Sequence, residues 1–351
     1  MIMKSKISRA FSALVVLALF AQALAQERPY DGQELIVTSY GGTWEEFMRD
    51  VIVPPFEEMT GATVELAVGL SRDWMANLRA AGRDNPPYDV VIANETWISS
   101  GRLENRFVAL PEDKVPNLAH VHPALRLEND VGVLGLFQPL GIAYRTDLVD
   151  TPPTSWLDLW SEEYQGQVGI YNIANSAAPM FIMLLAQIET GDPTNWEVGF
   201  DAITELAPFK QTDFSGDMEN LLIQGEVHVG ILDSPAWARL SQQGVPLNWV
   251  LPEEGVFMFE QNMNVTAGSR VEDLAFEFLN YMLSEEVQLK WAQNYFVTPA
   301  NVNVEISGEL AELIPVTADQ IDTVHQWDWV WLNQGPREDM VNRWHREIRG
   351  N

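Results

Sequence analysis

The stretch Leu35-Ile36-Val37-Thr38-Ser39-Tyr40-Gly41-Gly42-Thr43-Trp44 decides how this chain is read. An apolar, β-branched run of strand length meets two glycines and then an amphipathic helix start. Lacking a Cβ, the glycines let the backbone turn sharply and come close to a bound molecule. The helix start behind them leaves backbone N–H groups unpaired. This is a cradle at the end of a strand, and what it holds must be argued from the side chains around it.

Toward the amino end, Lys4, Lys6 and Arg9 precede an apolar run from Phe11 to Phe20, and Ala23-Leu24-Ala25 offers small residues for cleavage. This pattern predicts a signal peptide over residues 1–25 and a mature chain starting near Gln26, outside the cytoplasm. The run is short for a membrane span, and no later stretch of about 18 apolar residues follows. Acids outnumber bases 50 to 21, a net charge of −29, and the leader carries three of the bases. Such acidity argues against nucleic acid or an acidic membrane surface as partner and favours cations. The chain has no cysteine, so disulfides, a thiol nucleophile, a thiolate metal site and lipid attachment after the leader are excluded. The length and the 46% hydrophobic composition suffice for two domains.

Toward the carboxyl end, strands and helices alternate, which predicts an α/β architecture with helices covering mostly parallel sheets. Strands are expected at 35–40, 63–68, 88–93, 131–144, 168–171, 227–233, 247–251 and 262–266. A helix over 44–59 should break near Pro54-Pro55, and others are expected at 73–81, 271–283, 284–294 and 337–349. Ser155 and Asp158 suit a capping box. Trp156 and Trp160, four apart, read as core. Trp327, Trp329 and Trp331 have period two, which predicts one face of an extended segment, either pocket wall or packing. His120-x-His122 reads as surface loop, because no third metal ligand of the right type is nearby.

Several landmarks then converge: Tyr40-Gly41-Gly42, Pro55-Phe56-Glu57-Glu58-Met59-Thr60-Gly61, Tyr88-Asp89-Val90-Val91, Thr154-Ser155-Trp156-Leu157-Asp158-Leu159-Trp160, Tyr164-Gln165-Gly166, Gly225-Glu226-Val227 and Thr298-Pro299. In order and spacing, the mature chain resembles the spermidine/putrescine-binding branch of periplasmic ABC-transporter solute-binding proteins. The resemblance implies a type II periplasmic binding protein: two α/β lobes of mixed sheets flanked by helices, with a ligand cleft between them. Lobe one would hold 27–138 plus 259–304, and lobe two 139–258 plus 305–351. It also implies a monomer in the periplasm, a small cationic solute, an ABC permease in the inner membrane as partner, and no cofactor.

In that family carboxylates hold ammonium groups and aromatic rings pack on methylenes. The resemblance places four acids of this chain at the pocket: Glu95, Asp233, Glu260 and Asp328. Tyr40, Thr43, Trp44, Phe296 and Trp329 would complete the wall, and no lysine or arginine falls at an aligned pocket position. Where relatives carry an Asp and a Glu that grip an amine, this chain has Asn175, Ser176 and Pro179. The implied ligand is therefore a small cationic amine such as putrescine or spermidine, with a compact amine or a quaternary ammonium or betaine in an aromatic box as the alternative. Enzyme readings find no Gly-x-Ser-x-Gly, no phosphate loop and no His-Glu-x-x-His. A secreted hydrolase using scattered carboxylates and a scaffold protein stay open as readings from other classes.

Overall fold

The computed structural model describes residues 28–348, and the predicted leader lies outside the described residues. Its strands are β1 (Glu34–Ser39), β2 (Thr63–Val68), β3 (Val90–Ala93), β4 (Val133–Arg145), β5 (Val168–Tyr171), β6 (Lys210–Thr212), β7 (Val229–Asp233), β8 (Leu247–Val250), β9 (Phe257–Val265) and β10 (Thr298–Pro299). They form one mixed sheet in the order β2-β1-β3-β9-β4-β7-β5-β6, with β8 and β10 also pairing β4.

The expectation of mostly parallel sheets holds only on the flanks. There β1 runs parallel to β2 and β3, and β5 parallel to β6 and β7. The middle is antiparallel, because β4 and β9 carry the chain from one half to the other and back. β4 gives its first residues to β9 and its last to β7 and β8. Every residue of β9 is buried, as are 11 of the 13 in β4, as expected for strands covered on both faces. Pro139, facing Met258 in the register, has no N–H to give the ladder.

The first strand–turn–helix forms where the sequence places it. Gly42 takes φ 68°, a left-handed value that glycine tolerates without strain, and the helix Thr43–Phe47 follows. The break expected near the prolines comes earlier. Met48–Ile52 is a π-helical turn, and Pro54 and Pro55 sit in the first turn of the next helix, Val53–Thr60. Two consecutive residues without N–H would leave carbonyls of the preceding turn unpaired, and a widened turn absorbs that mismatch upstream. Ser155 and Asp158 do form the capping box, on a 3₁₀ turn over Trp156–Trp160. Trp156 is fully buried and Trp160 half-buried. The three C-terminal tryptophans depart from the extended reading. Asp328 caps a helix at Trp329–Asn333, so only Trp327 lies in extended chain, and period two there was an accident of composition.

One hydrophobic core runs through both halves, and a smaller cluster around Trp74, Leu78 and Ile98 supports the Glu95–Leu103 helix. Among the described residues, no helix is long and apolar enough to cross a membrane.

Candidate functional site

Period two along β9 sends Met258, Glu260, Asn262 and Asn264 to one face of the sheet, and Phe257, Phe259 and Gln261 to the other. The first face carries the site. A cavity of about 210 Å³ there is lined by Glu95 and Arg102 from the helix behind β3, by Met258 and Glu260 from β9, by Leu134 from β4, and by Gln326–Val330 from the C-terminal segment.

Glu95 is 3% exposed and fully engaged. Arg102, two helical turns away on the same face, forms a bidentate pair with it, Nη1 donating to Oε2 at 2.8 Å and Nη2 meeting Oε1. The Asn262 amide donates to the same carboxylate. Burial pushes the Arg102 guanidinium down to about 10, and the nearby Glu260 opposes that shift.

Glu260 is the opposite case. It is 2% exposed, and its Oε2 is buried without a hydrogen-bond partner. Desolvation pushes its carboxyl up to about 8, against stabilisation by its own backbone, the Trp329 side chain and Arg102. Asp328, exposed at the rim, accepts from Trp331 N at 2.9 Å as a helix cap. The C-terminal segment is tied across the site: Asn333 donates to Thr96 O and Ser99 Oγ at 3.0 and 2.9 Å, and the Arg337 guanidinium lies 3.8 Å from the Trp97 ring centroid.

The structure thus brings Glu95, Glu260, Asp328 and Trp329 to one cavity. It leaves Tyr40, Thr43, Trp44, Asp233 and Phe296 outside the lining. Asp233 pairs with Leu140 in register, and so does Phe257, which puts Asp233 on the face opposite Glu260. Its carboxylate caps the Ser234–Gln242 helix through Ala236 N at 3.0 Å and meets Gln138 Nε2 at 3.5 Å. Desolvation raises its pKa. Tyr40 donates to Asn94 Oδ1 at 2.6 Å and shares a 2.7 Å bond with Ser71; burial pushes its hydroxyl up to about 12. Trp44 packs against Trp291 with ring centroids 4.3 Å apart and the rings tilted by 35°, and Thr43 bonds the Tyr295 hydroxyl at 3.0 Å. Phe296 ends the Glu285–Tyr295 helix at φ 59°, half-buried against the core.

Arg102, which lies at none of the aligned pocket positions, joins this lining. Arg102 and Asn262 went unnoticed as site residues, and Trp327, read as either pocket wall or packing, lines the cavity. The signals were present: Glu95 and Arg102 lie seven apart on one helix, and polar residues repeat every second position through a wholly buried strand. Asn175 and Ser176, at the positions where the resemblance leads one to expect acids, start the Ala177–Thr190 helix, Asn175 Oδ1 accepting from Ala177 N at 2.8 Å. His122 Nδ1 accepts from Ala124 N at 3.3 Å, and no metal-binding cluster of His, Asp or Glu occurs among the described residues.

The family model for bacterial extracellular solute-binding proteins matches residues 52–316. The chain belongs to that family. Being a solute-binding protein, it is not an enzyme, which closes the hydrolase reading. The spermidine/putrescine-binding periplasmic protein of Escherichia coli K12 is 23% identical over 304 residues, covering 83% of this chain and 86% of that one. Spermidine/putrescine-binding periplasmic protein 1 of Haemophilus influenzae is 27% identical over 261 residues, 72% of each chain. Among solved structures, the spermidine/putrescine ABC transporter substrate-binding protein PotD of Streptococcus pneumoniae superposes with a TM-score of 0.72 at 22% identity, over 90% of this chain and 99% of that one. The two-lobed solute-binding fold implied by the sequence is therefore the fold of this solute-binding protein.

Proposed function

We propose that this solute-binding protein takes a small cationic amine in the cavity between β9 and the C-terminal segment, in the periplasm, and hands it to an ABC permease of the inner membrane. The observation that carries the reading is Glu260: a buried carboxylate whose Oε2 has no donor, in a cavity walled by Trp327, Trp329 and Met258. A bound ammonium would supply the missing partner, and the rings would pack on its carbon atoms. The names of the curated relatives point to the same class of solute. The lobes would meet at Gln138–Pro139 and Met258–Phe259, residues that face each other in the β4–β9 register. Pro139, with no N–H, marks a weak point where closure would bend the sheet.

A thermal-shift panel of polyamines, betaines, amino acids, sugars and dicarboxylates tests the reading. Compounds with an amine or quaternary ammonium should raise the melting temperature, and Glu260→Gln should abolish the rise. A sugar or dicarboxylate giving the largest shift would overturn it.

A further inference from the structure

Two buried atoms of opposite polarity go unsatisfied among the residues that line this cavity. Glu260 Oε2 is an acceptor without a donor, and Trp327 Nε1–H is a donor without an acceptor. Both residues are more than nine-tenths buried, at 2% and 9% exposure. Arg102 belongs to the same lining, with its guanidinium already paired to Glu95. The lining residues therefore include one group that asks for a donor and another that asks for an acceptor.

A diamine brings donors only. Its first ammonium satisfies Glu260, but its second leaves the Trp327 N–H without an acceptor. Glu95 offers it little, because that carboxylate is already held by Arg102 and Asn262. Asp328 lies exposed at the rim and caps its own helix. An unpaired buried donor costs more than a missing contact, since it has given up water for nothing. We infer that the solute carries, besides its cationic nitrogen, an anionic or accepting end taken by the Trp327 N–H, so that a short ω-amino acid fits better than a diamine of equal length. The inference rests on the amine reading of the same cavity and narrows its class.

Calorimetry on the mature chain at pH 8 with 4-aminobutanoate, 1,4-diaminobutane and 1-aminobutane tests it. The amino acid should bind at least about tenfold tighter than either amine, the worth of one buried hydrogen bond to a charged group. Trp327→Phe keeps the ring and removes the donor; it should bring 4-aminobutanoate down toward 1-aminobutane and leave both amines unchanged. Equal or tighter binding of 1,4-diaminobutane by the wild-type chain overturns the inference, whatever the variant does. Glu260→Gln separates the two levels. If it weakens all three compounds, the amine reading stands and a failed comparison counts against the inference alone. If it changes none of them, or none binds, both fall.

Discussion

Binding of an amine should release a proton, because Glu260 holds one in the empty site. Its carboxyl is pushed from an ordinary 4.5 up to about 8, mainly by desolvation. At pH 6 the empty cavity is therefore neutral at this position, while an ammonium needs the carboxylate. Each bound cation must expel that proton, and affinity rises roughly tenfold per pH unit until the pH passes about 8. Between pH 6 and pH 8 the gain is roughly fiftyfold, about 2.3 kcal/mol. The sign for stability runs the other way. A carboxyl with a raised folded-state pKa contributes fully below its unfolded value near 4.5. That contribution is lost as the pH climbs through about 8, to a ceiling on the order of 5 kcal/mol. Calorimetry at pH 6.5 in two buffers of different ionisation enthalpy should count roughly one proton released per amine. Glu260→Gln should bind weakly with no release and no pH slope. A wild-type affinity that stays flat from pH 6 to pH 8, with no proton exchanged, would refute the assignment of Glu260 as the cation's partner.

Asp233→Asn should leave amine affinity within about threefold, because Asp233 lies on the far face and asparagine caps a helix as well as aspartate. Asp233→Ala should cost about 1–2 kcal/mol of stability by denaturant titration, and a large affinity loss in the asparagine variant would put Asp233 back in the site. Arg102→Met strands Glu95 without its cation and should cost about 3–5 kcal/mol. Adding Glu95→Gln should recover most of that loss in the same titration, and a double variant as unstable as the single one would mean the pair is not coupled.

The fold was legible because its signals are local. β1, the glycine turn, the Ser155–Asp158 cap and the terminal helix all announce themselves within a few residues. The antiparallel centre was not, because it depends on β4 finding β9 more than a hundred residues later, and nothing in either strand states the partner's direction. The site divides in the same way. Glu260 could be placed by its neighbours in sequence. Arg102 was missed because its spacing of seven from Glu95 carries meaning only once residues 95–103 are known to form a helix. Asp233 shows the converse: a strand end that aligns with a pocket position and is carried by the pleat to the face opposite Glu260. Trp329 reaches the cavity through a helical turn that the alternation of tryptophans concealed.

β4 and β9 also govern how the molecule comes apart. β4 is hydrogen-bonded to β9 and β10 on one side and to β7 and β8 on the other, β9 ties it to β3, and the hydrophobic core runs without interruption past them. Neither half can melt without stripping a strand and its buried face from the other, so loss of order should spread through the whole sheet in one step. Calorimetric unfolding should then show one transition, with van't Hoff and calorimetric enthalpies that agree. A solute bound at Glu260, which sits on β9 itself, would protect distant parts of the chain as firmly as its own surroundings.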